Sequence, residues 1–162
     1  MVFFKRPGKD EADTLILYGT KTGNSELIAK QLQKKLNAQG RKVGCKNMSS
    51  FSPEKLITIK NLLIVVSTHG EGAPPPPARK FFKALFAEEM IRLPNLSYAV
   101  CALGDSSYKK FCEAGKSIDT RLTQLDAIPF YDRKDCDVEF TESAIAWLQQ
   151  IVRLLEDKEK AM

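Results

Sequence analysis

A glycine- and hydroxyl-rich segment follows the first apolar run of the sequence and precedes a predicted helix. It consists of Gly19, Thr20, Lys21, Thr22, Gly23, Asn24 and Ser25. The free N–H groups and the positive dipole end of a helix favour an anion at such a position. The segment modestly favours a phosphate site over ordinary capping by Asn24 or Ser25. Its spacing matches neither the Walker loop nor the GxGxxG dinucleotide motif.

A second segment with unusual chemistry follows the next strongly apolar run. It begins with Ser67, Thr68, His69, Gly70, Glu71 and Gly72. Two glycines separated by one residue permit backbone conformations that other residues avoid. Four prolines, Pro74–Pro77, then stiffen the exit. This length and composition indicate a binding loop rather than a plain surface connection.

A third segment follows the apolar run Tyr98–Leu103 and carries an aromatic residue beside a glycine turn. Its candidate residues are Leu103, Gly104, Asp105, Tyr108, Phe111 and Cys112. An exposed aromatic ring can lie flat on a planar ligand, although for a lone tyrosine packing on its own helix is the commoner arrangement.

The pattern of apolar residues predicts strands that alternate with helices. The predicted strands are Thr14–Tyr18, Lys42–Met48, Leu62–Ser67, Tyr98–Leu103 and Ala127–Tyr131. The predicted helices span residues 25–39, 78–86, 111–125 and 144–155, where apolar side chains recur at helical spacing. The second strand alternates between polar and apolar residues, as an edge strand does, whereas the first, third and fourth are continuously apolar.

This alternation predicts an α/β fold with a doubly wound, five-stranded parallel sheet in the order 2-1-3-4-5 and helices on both faces. Such sheets bind ligands beyond the carboxyl ends of their strands, at the switch point between strands 1 and 3. All three chemistry-bearing segments leave the sheet at that edge. We therefore expect them to form one site.

Composition narrows the classes of function. The 162 residues are 43% hydrophobic and 28% charged, with a net charge of +5, which excludes a mostly disordered chain. The basic residues are dispersed, so the sequence predicts no nucleic-acid binding. It also predicts no membrane segment, because no apolar run approaches the ~18 residues that a membrane helix needs. Four cysteines without a CxxC pair and a single histidine indicate reduced thiols, no metal site and a cytoplasmic location. We expect a flexible lead-in at residues 1–12, one domain over 13–156, and a charged tail or linker at 157–162.

The three segments together resemble a known family. TKTGNS, STHGEGAPP and ALGDSSYKKFC, in this order and spacing, are similar to the FMN-binding, flavodoxin-like domain of diflavin reductases. With DRKDCDVEF near the end, the similarity is strongest to the flavoprotein subunit of assimilatory sulfite reductase and covers about residues 13–155.

The resemblance implies a role for each segment. Residues 20–25 would hold the FMN phosphate, with Lys21 in the loop but out of phase for a contact. Residues 67–72 would border the flavin ring on one side. The other wall would be formed by Leu103, Gly104, Asp105, Tyr108, Phe111 and Cys112, with Tyr108 stacked on the ring, while Asp132 would approach its edge. The peptide carbonyl of Gly70 would accept a hydrogen bond from flavin N5–H. His69 stands where relatives often carry an aromatic residue.

The function implied is passage of single electrons from an FAD/NADPH reductase module to a metal-centre acceptor, either haem or iron–sulfur. A free-standing flavodoxin-type carrier and a flavodoxin-like quinone reductase remain alternatives, as does a non-redox binding domain. A phospho-receiver domain is nearly excluded because strands 1 and 3 lack its carboxylates. Many flavodoxin-type carriers are acidic, whereas this chain is basic. An acidic group near the site would supply a local negative patch: Asp132, Asp135, Asp137 and Glu139.

Overall fold

The computed structural model describes residues 13–161, so the predicted lead-in at residues 1–12 lies outside the described residues. Four of the six strands among these residues form where the apolar runs predict them. The six strands are β1 Thr14–Gly19, β2 Val43–Asn47, β3 Asn61–Ser67, β4 Ser97–Leu103, β5 Ile128–Pro129 and β6 Lys134–Cys136. The helices are α1 Asn24–Ala38, α2 Arg79–Leu85, α3 Glu113–Gln124 and α4 Thr141–Lys160.

The sheet is parallel and has the order β2-β1-β3-β4-β5, which confirms the predicted topology. Thr14 of β1 pairs with Val43 of β2 on one side and with Asn61 of β3 on the other. Asn61 in turn pairs with Ser97 of β4. The three central strands therefore start level and end at one edge, where the candidate loops begin.

The fifth strand position is divided between two short strands, whereas the sequence predicts one strand over 127–131. Both β5 and β6 pair with β4, β5 near its start and β6 near its end. Pro129 has no N–H to continue the ladder. Arg133 then holds the intervening turn through Asp119 at 2.6 Å and Asp135 at 2.9 Å. β6 lacks apolar alternation, so the sequence pattern gives no signal for it.

Helices cover both faces of the sheet. α2 and α3 pack on the face that carries Leu15 and Leu17 of β1. α1 and α4 pack on the face that carries Ile16 and Tyr18. Because both faces are covered, consecutive residues of the central strands are buried, and this explains their continuous apolar character.

Two helix ends differ from the sequence prediction. α3 begins at Glu113 rather than at Phe111, because Cys112 has a left-handed backbone with φ of 57°. α4 continues to Lys160 through the charged residues predicted as a tail, where Lys158 lies 4.8 Å from the ring centroid of Phe130. Among the described residues, no helix has the length and apolar character required to cross a membrane.

Gly115 allows α3 to lie directly on the sheet. A Cβ atom at this position would lie 2.3 Å from Cβ of Ala102 in β4, far inside van der Waals contact. The close approach of α3 to β4 therefore requires a residue without a side chain. Because the loop from β4 leads directly into α3, this close contact also positions that loop relative to the sheet.

We expect Gly115→Ala to lower the free energy of unfolding by about 1–3 kcal/mol, the usual cost of overpacking. Helix propensity alone would predict the opposite sign, because it favours alanine over glycine by about 1 kcal/mol. Urea denaturation measures the change. Ser117→Ala, two positions further along α3, serves as control and should leave stability unchanged or raise it. An unchanged urea midpoint for Gly115→Ala would contradict the close packing.

Candidate functional site

The three candidate loops converge at the carboxyl edge of the sheet around one cavity of about 300 Å³. Most of the predicted residues line it. These are Lys21, Thr22, Asn24, Ser67, Thr68, His69, Gly70, Leu103, Gly104, Asp105, Tyr108, Phe111 and Cys112. Five predicted residues do not line the cavity: Thr20, Gly23, Ser25, Glu71 and Gly72. Each of these five still lies in one of the converging loops.

The loop after β1 presents an uncapped helix start. Gly23 occupies the N-cap of α1 with φ of 94°, and no side chain caps the helix. The Gly23 N–H donates to Thr20 Oγ1 at 2.9 Å, which tightens the turn. Ser25 does not cap α1, because its buried hydroxyl lies 2.7 Å from that of Ser67. Capping therefore does not explain this loop, and its donors suit an anion.

The Ser25–Ser67 hydrogen bond joins the first loop to the second. Thr20 and Ser25 are buried, so these two hydroxyls hold the loops in place beneath the cavity. Thr22 and Asn24, by contrast, are exposed and line it. The hydroxyls predicted as one set of ligands thus divide into supporting residues and residues that face a ligand.

The loop after β3 folds back on itself as a tight bridge. His69 and Ala73 exchange both backbone hydrogen bonds, at 2.8 and 3.0 Å. The turn between them depends on Gly70 and Gly72, which have φ of 51° and 98°. A Cβ atom on Gly72 would lie 2.8 Å from the Lys110 side chain, so this glycine also lets the second loop contact the third.

Hydrogen bonds made by Thr68 and Cys112 hold the third loop in place. The Thr68 N–H donates to the carbonyl of Leu103 at 3.0 Å, and Thr68 Oγ1 accepts from the N–H of Ala114 at 3.1 Å. Cys112 Sγ donates to the carbonyl of Ala102 at 3.5 Å. Burial raises the pKa of the Cys112 thiol to about 12. Cys112 is therefore a neutral packing group and not a nucleophile.

Tyr108 is 60% exposed at the tip of the third loop and lines the cavity. A tyrosine packed on its own helix would bury its ring, so this alternative does not hold. The exposed ring is instead available to a ligand in the cavity, and tyrosine combines an aromatic face with a polar hydroxyl. The position indicates a platform for a planar ligand.

Sequence reasoning missed part of the cavity wall. Pro75, Lys110, Asp137, Val138 and Phe140 also line it. The first two lie in segments already singled out. The other three follow β6, the strand that periodicity did not reveal, and of these only Asp137 is predicted to lie near the site, as part of the acidic group.

Asp137 fastens the third loop to the end of β6. Its carboxylate accepts from the N–H of Ser106 at 2.9 Å, from the hydroxyl of Ser106, and from the N–H of Val138 at 2.8 Å. The Ser106 side chain and these N–H groups lower the pKa of Asp137. Asp137 thus has a structural partner, rather than being a free charge of the acidic patch.

The four acidic residues predicted to form a negative patch do not act as one group in the structure. Asp135 pairs with Arg133, whereas Asp132 and Glu139 are exposed and do not line the cavity. The cavity wall carries both signs of charge, because Lys21 and Lys110 line it together with Asp105 and Asp137. Among the described residues, no cluster of histidine, cysteine or carboxylate side chains has an arrangement that would hold a metal ion.

Residues 16–147 match the family model for flavodoxin. The chain belongs to the flavodoxin family. It is 41% identical over 145 residues to the sulfite reductase [NADPH] flavoprotein alpha-component of Bacillus subtilis, and 37% identical over 142 residues to that of Vibrio vulnificus. These matches cover 90% and 88% of this chain but 24% and 23% of the relatives, so the chain spans about a quarter of their length. The resemblance to sulfite reductase flavoproteins is confirmed.

Solved structures confirm the fold. A flavodoxin of Streptococcus pneumoniae superposes with a TM-score of 0.79 at 24% identity, covering 90% of this chain and 98% of that one. A short-chain flavodoxin associated with a bacterial microcompartment gives 0.78 at 23% identity, covering 90% and 97%. Membership of this family implies flavin binding. The uncapped start of α1, the glycine turn at Gly70 and the exposed Tyr108 fit such a ligand.

Asp137→Asn should destabilise the chain at neutral pH and speed hydrogen exchange of the Ser106 amide. Because the native pKa of Asp137 is lowered, its contribution is complete above the unfolded value of about 4 and is lost as pH falls through the native pKa. The difference in unfolding free energy between wild type and variant should therefore shrink between pH 7 and pH 2. Denaturant titrations at both pH values measure it.

Asp132→Asn removes an exposed carboxylate near the same loop and serves as the control. It should leave Ser106 exchange unchanged. If Asp137→Asn leaves Ser106 exchange unchanged as well, the hydrogen bonds to Asp137 do not hold the third loop.

Proposed function

We propose that this chain binds FMN non-covalently and acts as the electron-transfer domain of an NADPH-dependent diflavin reductase of the sulfite reductase type. The single observation that carries the proposal is the convergence of three loops around an uncapped helix start on one side and an exposed tyrosine on the other. FMN has a matching shape, with a phosphate at one end and a planar ring at the other. The flavin, when bound, supplies the redox chemistry.

The start of α1 would hold the phosphate. Thr22 and Asn24 line the cavity beside the first turn, whose N–H groups and dipole favour a dianion. Lys21 lies on the same wall and adds positive charge. Thr20 and Ser25 would shape the loop, Thr20 by accepting from the Gly23 N–H and Ser25 by its hydrogen bond to Ser67. The backbone of Gly23 and Ser25 would also contribute, because it lies at the start of α1.

The second and third loops would enclose the ring. Tyr108 offers an aromatic face, and His69 lines the cavity on the second loop. Gly70 has a left-handed φ of 51° that glycine adopts without strain, so its peptide can reorient at small cost. In this arrangement the Gly70 carbonyl would accept a hydrogen bond from flavin N5–H. The chain's contribution is thus to orient the ring and stabilise a proton at N5.

The donor and acceptor follow from the relatives. Those proteins are named as NADPH sulfite reductase flavoproteins and are about four times the length of the matched region. We infer an FAD- and NADPH-binding reductase module as donor and a metal-centre protein as acceptor. Exposed Tyr108 and Val138 at the cavity mouth would give such partners an apolar approach to the ring edge. The reducing chemistry that this cofactor requires suits a cytoplasmic location.

FMN should bind more tightly than riboflavin, which lacks the phosphate. Thr22→Ala and Asn24→Ala should each weaken FMN binding about tenfold, the effect of losing one charge-assisted hydrogen bond, and leave riboflavin binding unchanged. Fluorescence titration of the purified chain measures both constants. Thr120→Ala, an exposed threonine on α3, is the control. Equal losses for the two flavins would contradict a phosphate role for the first loop.

Tyr108→Ala should weaken binding of both FMN and riboflavin by about 1–3 kcal/mol, the range for loss of an aromatic stacking contact. Tyr108→Phe keeps the ring and should bind nearly as the wild type does. Phe86→Ala removes another exposed ring far from the cavity and should have no effect. An unchanged dissociation constant for Tyr108→Ala would refute stacking.

Electron transfer is tested with the FMN-loaded chain, NADPH and a separate FAD-containing reductase module. Bleaching of the FMN absorbance that requires all three components supports the proposal. Failure of the chain to bind FMN would reject it, and rapid direct oxidation of NADPH without the module would instead favour the quinone reductase alternative.

A further inference from the structure

A second pocket lies at the opposite edge of the sheet, away from the cavity described above. It has a volume of about 380 Å³ and is lined by Asp13, Arg41, Lys60, Asn61, Lys158, Glu159 and Ala161. Asn61 begins β3 and Ser67 ends it, so the two cavities lie about 20 Å apart at the rise of a parallel strand. The flavin function proposed above uses none of these residues.

Three cationic side chains from different elements meet in this pocket. Arg41 follows α1, Lys60 precedes β3, and Lys158 lies in the last turns of α4. Such a gathering of like charge is unfavourable unless an opposite charge offsets it. Two carboxylates, Asp13 and Glu159, also line the pocket, so the side chains of residues 13–161 that line it carry a net positive charge.

Arg41 is fixed by the protein and retains an unused donor. Its Nη2 donates to the carbonyl of Leu155 at 2.8 Å and contacts Glu159 Oε2 at 3.3 Å, and its side chain is 13% exposed. Its Nε is buried and has no hydrogen-bond partner among residues 13–161. A buried guanidinium N–H without an acceptor is costly, and such donors are normally satisfied.

Lys158 is also held in place. Its Nζ donates to Asn61 Oδ1 at 3.1 Å and lies 4.8 Å from the ring centroid of Phe130. Burial, followed by the positive charges of Lys60 and Arg41, lowers the pKa of Lys158. The ammonium group therefore lies in a positive field that a bound anion would relieve.

We propose that the pocket formed by Arg41, Lys60 and Lys158 is a second binding site, which takes a small dianion such as phosphate or a phosphate monoester. Arginine supplies a planar fork and lysine supplies point charges, a combination suited to a tetrahedral oxyanion. The pocket is recessed and the cations come from three separate segments of the chain. These features distinguish it from lysines dispersed over a surface.

The test is a titration of the full chain, loaded with FMN, with inorganic phosphate at constant ionic strength set by sodium chloride. Bound FMN occupies the first site, so a response of the amides of residues 23–25 is not expected. Saturable shifts of the amides of Arg41, Asn61 and Lys158 in nitrogen–proton correlation spectra support the proposal. Shifts that grow linearly without saturation, or that are absent at these residues, overturn it.

Lys158→Gln should weaken phosphate binding about tenfold, the loss expected for one charge-assisted hydrogen bond. Lys83→Gln makes the same charge change at an exposed residue of α2 and should bind phosphate as the wild type does. If Lys158→Gln does not fold by circular dichroism, Lys60→Gln takes its place. Equal affinity in the pocket variant and the control overturns the proposal. Should the chain fail to bind FMN, the same amides still report on this pocket, so the two hypotheses fail separately.

Discussion

The pairing of β1 with β3 is the constraint on which the site depends. The chain leaves β1 for α1 on one face of the sheet and leaves β3 for the segment leading to α2 on the other. Adjacent parallel strands whose connections diverge open a crevice at their carboxyl ends. The hydroxyls of Ser25 and Ser67 close the floor of that crevice, one from each side. The topology thus creates the crevice, and the Ser25–Ser67 hydrogen bond closes its floor.

The loops around this crevice contain two kinds of residue: some hold the loops to the sheet and helices, and others face the cavity. Thr68 and Cys112 accept or donate hydrogen bonds below the cavity and hold the third loop to β4 and α3. Asp137 holds the same loop from the side of β6. Because these contacts do not require a ligand, the loop that carries Tyr108 is positioned before anything binds. A preorganised site loses less conformational entropy on binding.

The sequence predicted the elements that periodicity can reveal. Buried parallel strands such as β3 are continuous apolar runs, and α1 shows apolar residues at helical spacing, so topology and the three loops followed from pattern alone. β6 was missed because its three residues, Lys134–Cys136, are held by backbone pairing and by the salt bridges of Arg133. Its absence from the prediction also hid Val138 and Phe140, and left Asp137 as a member of an acidic patch rather than of the cavity wall. Those residues enter the site only through a strand that has no hydrophobic signal.

The division of the hydroxyls could not be predicted from spacing either. Thr20, Thr22 and Ser25 look equivalent in sequence, yet burial makes two of them internal supports and leaves one facing the cavity. A phosphate bound at the start of α1 would be neutralised chiefly by backbone N–H groups and a helix dipole, with Lys21 on the same wall. At the opposite edge of the sheet, three further cations, Arg41, Lys60 and Lys158, line the second pocket.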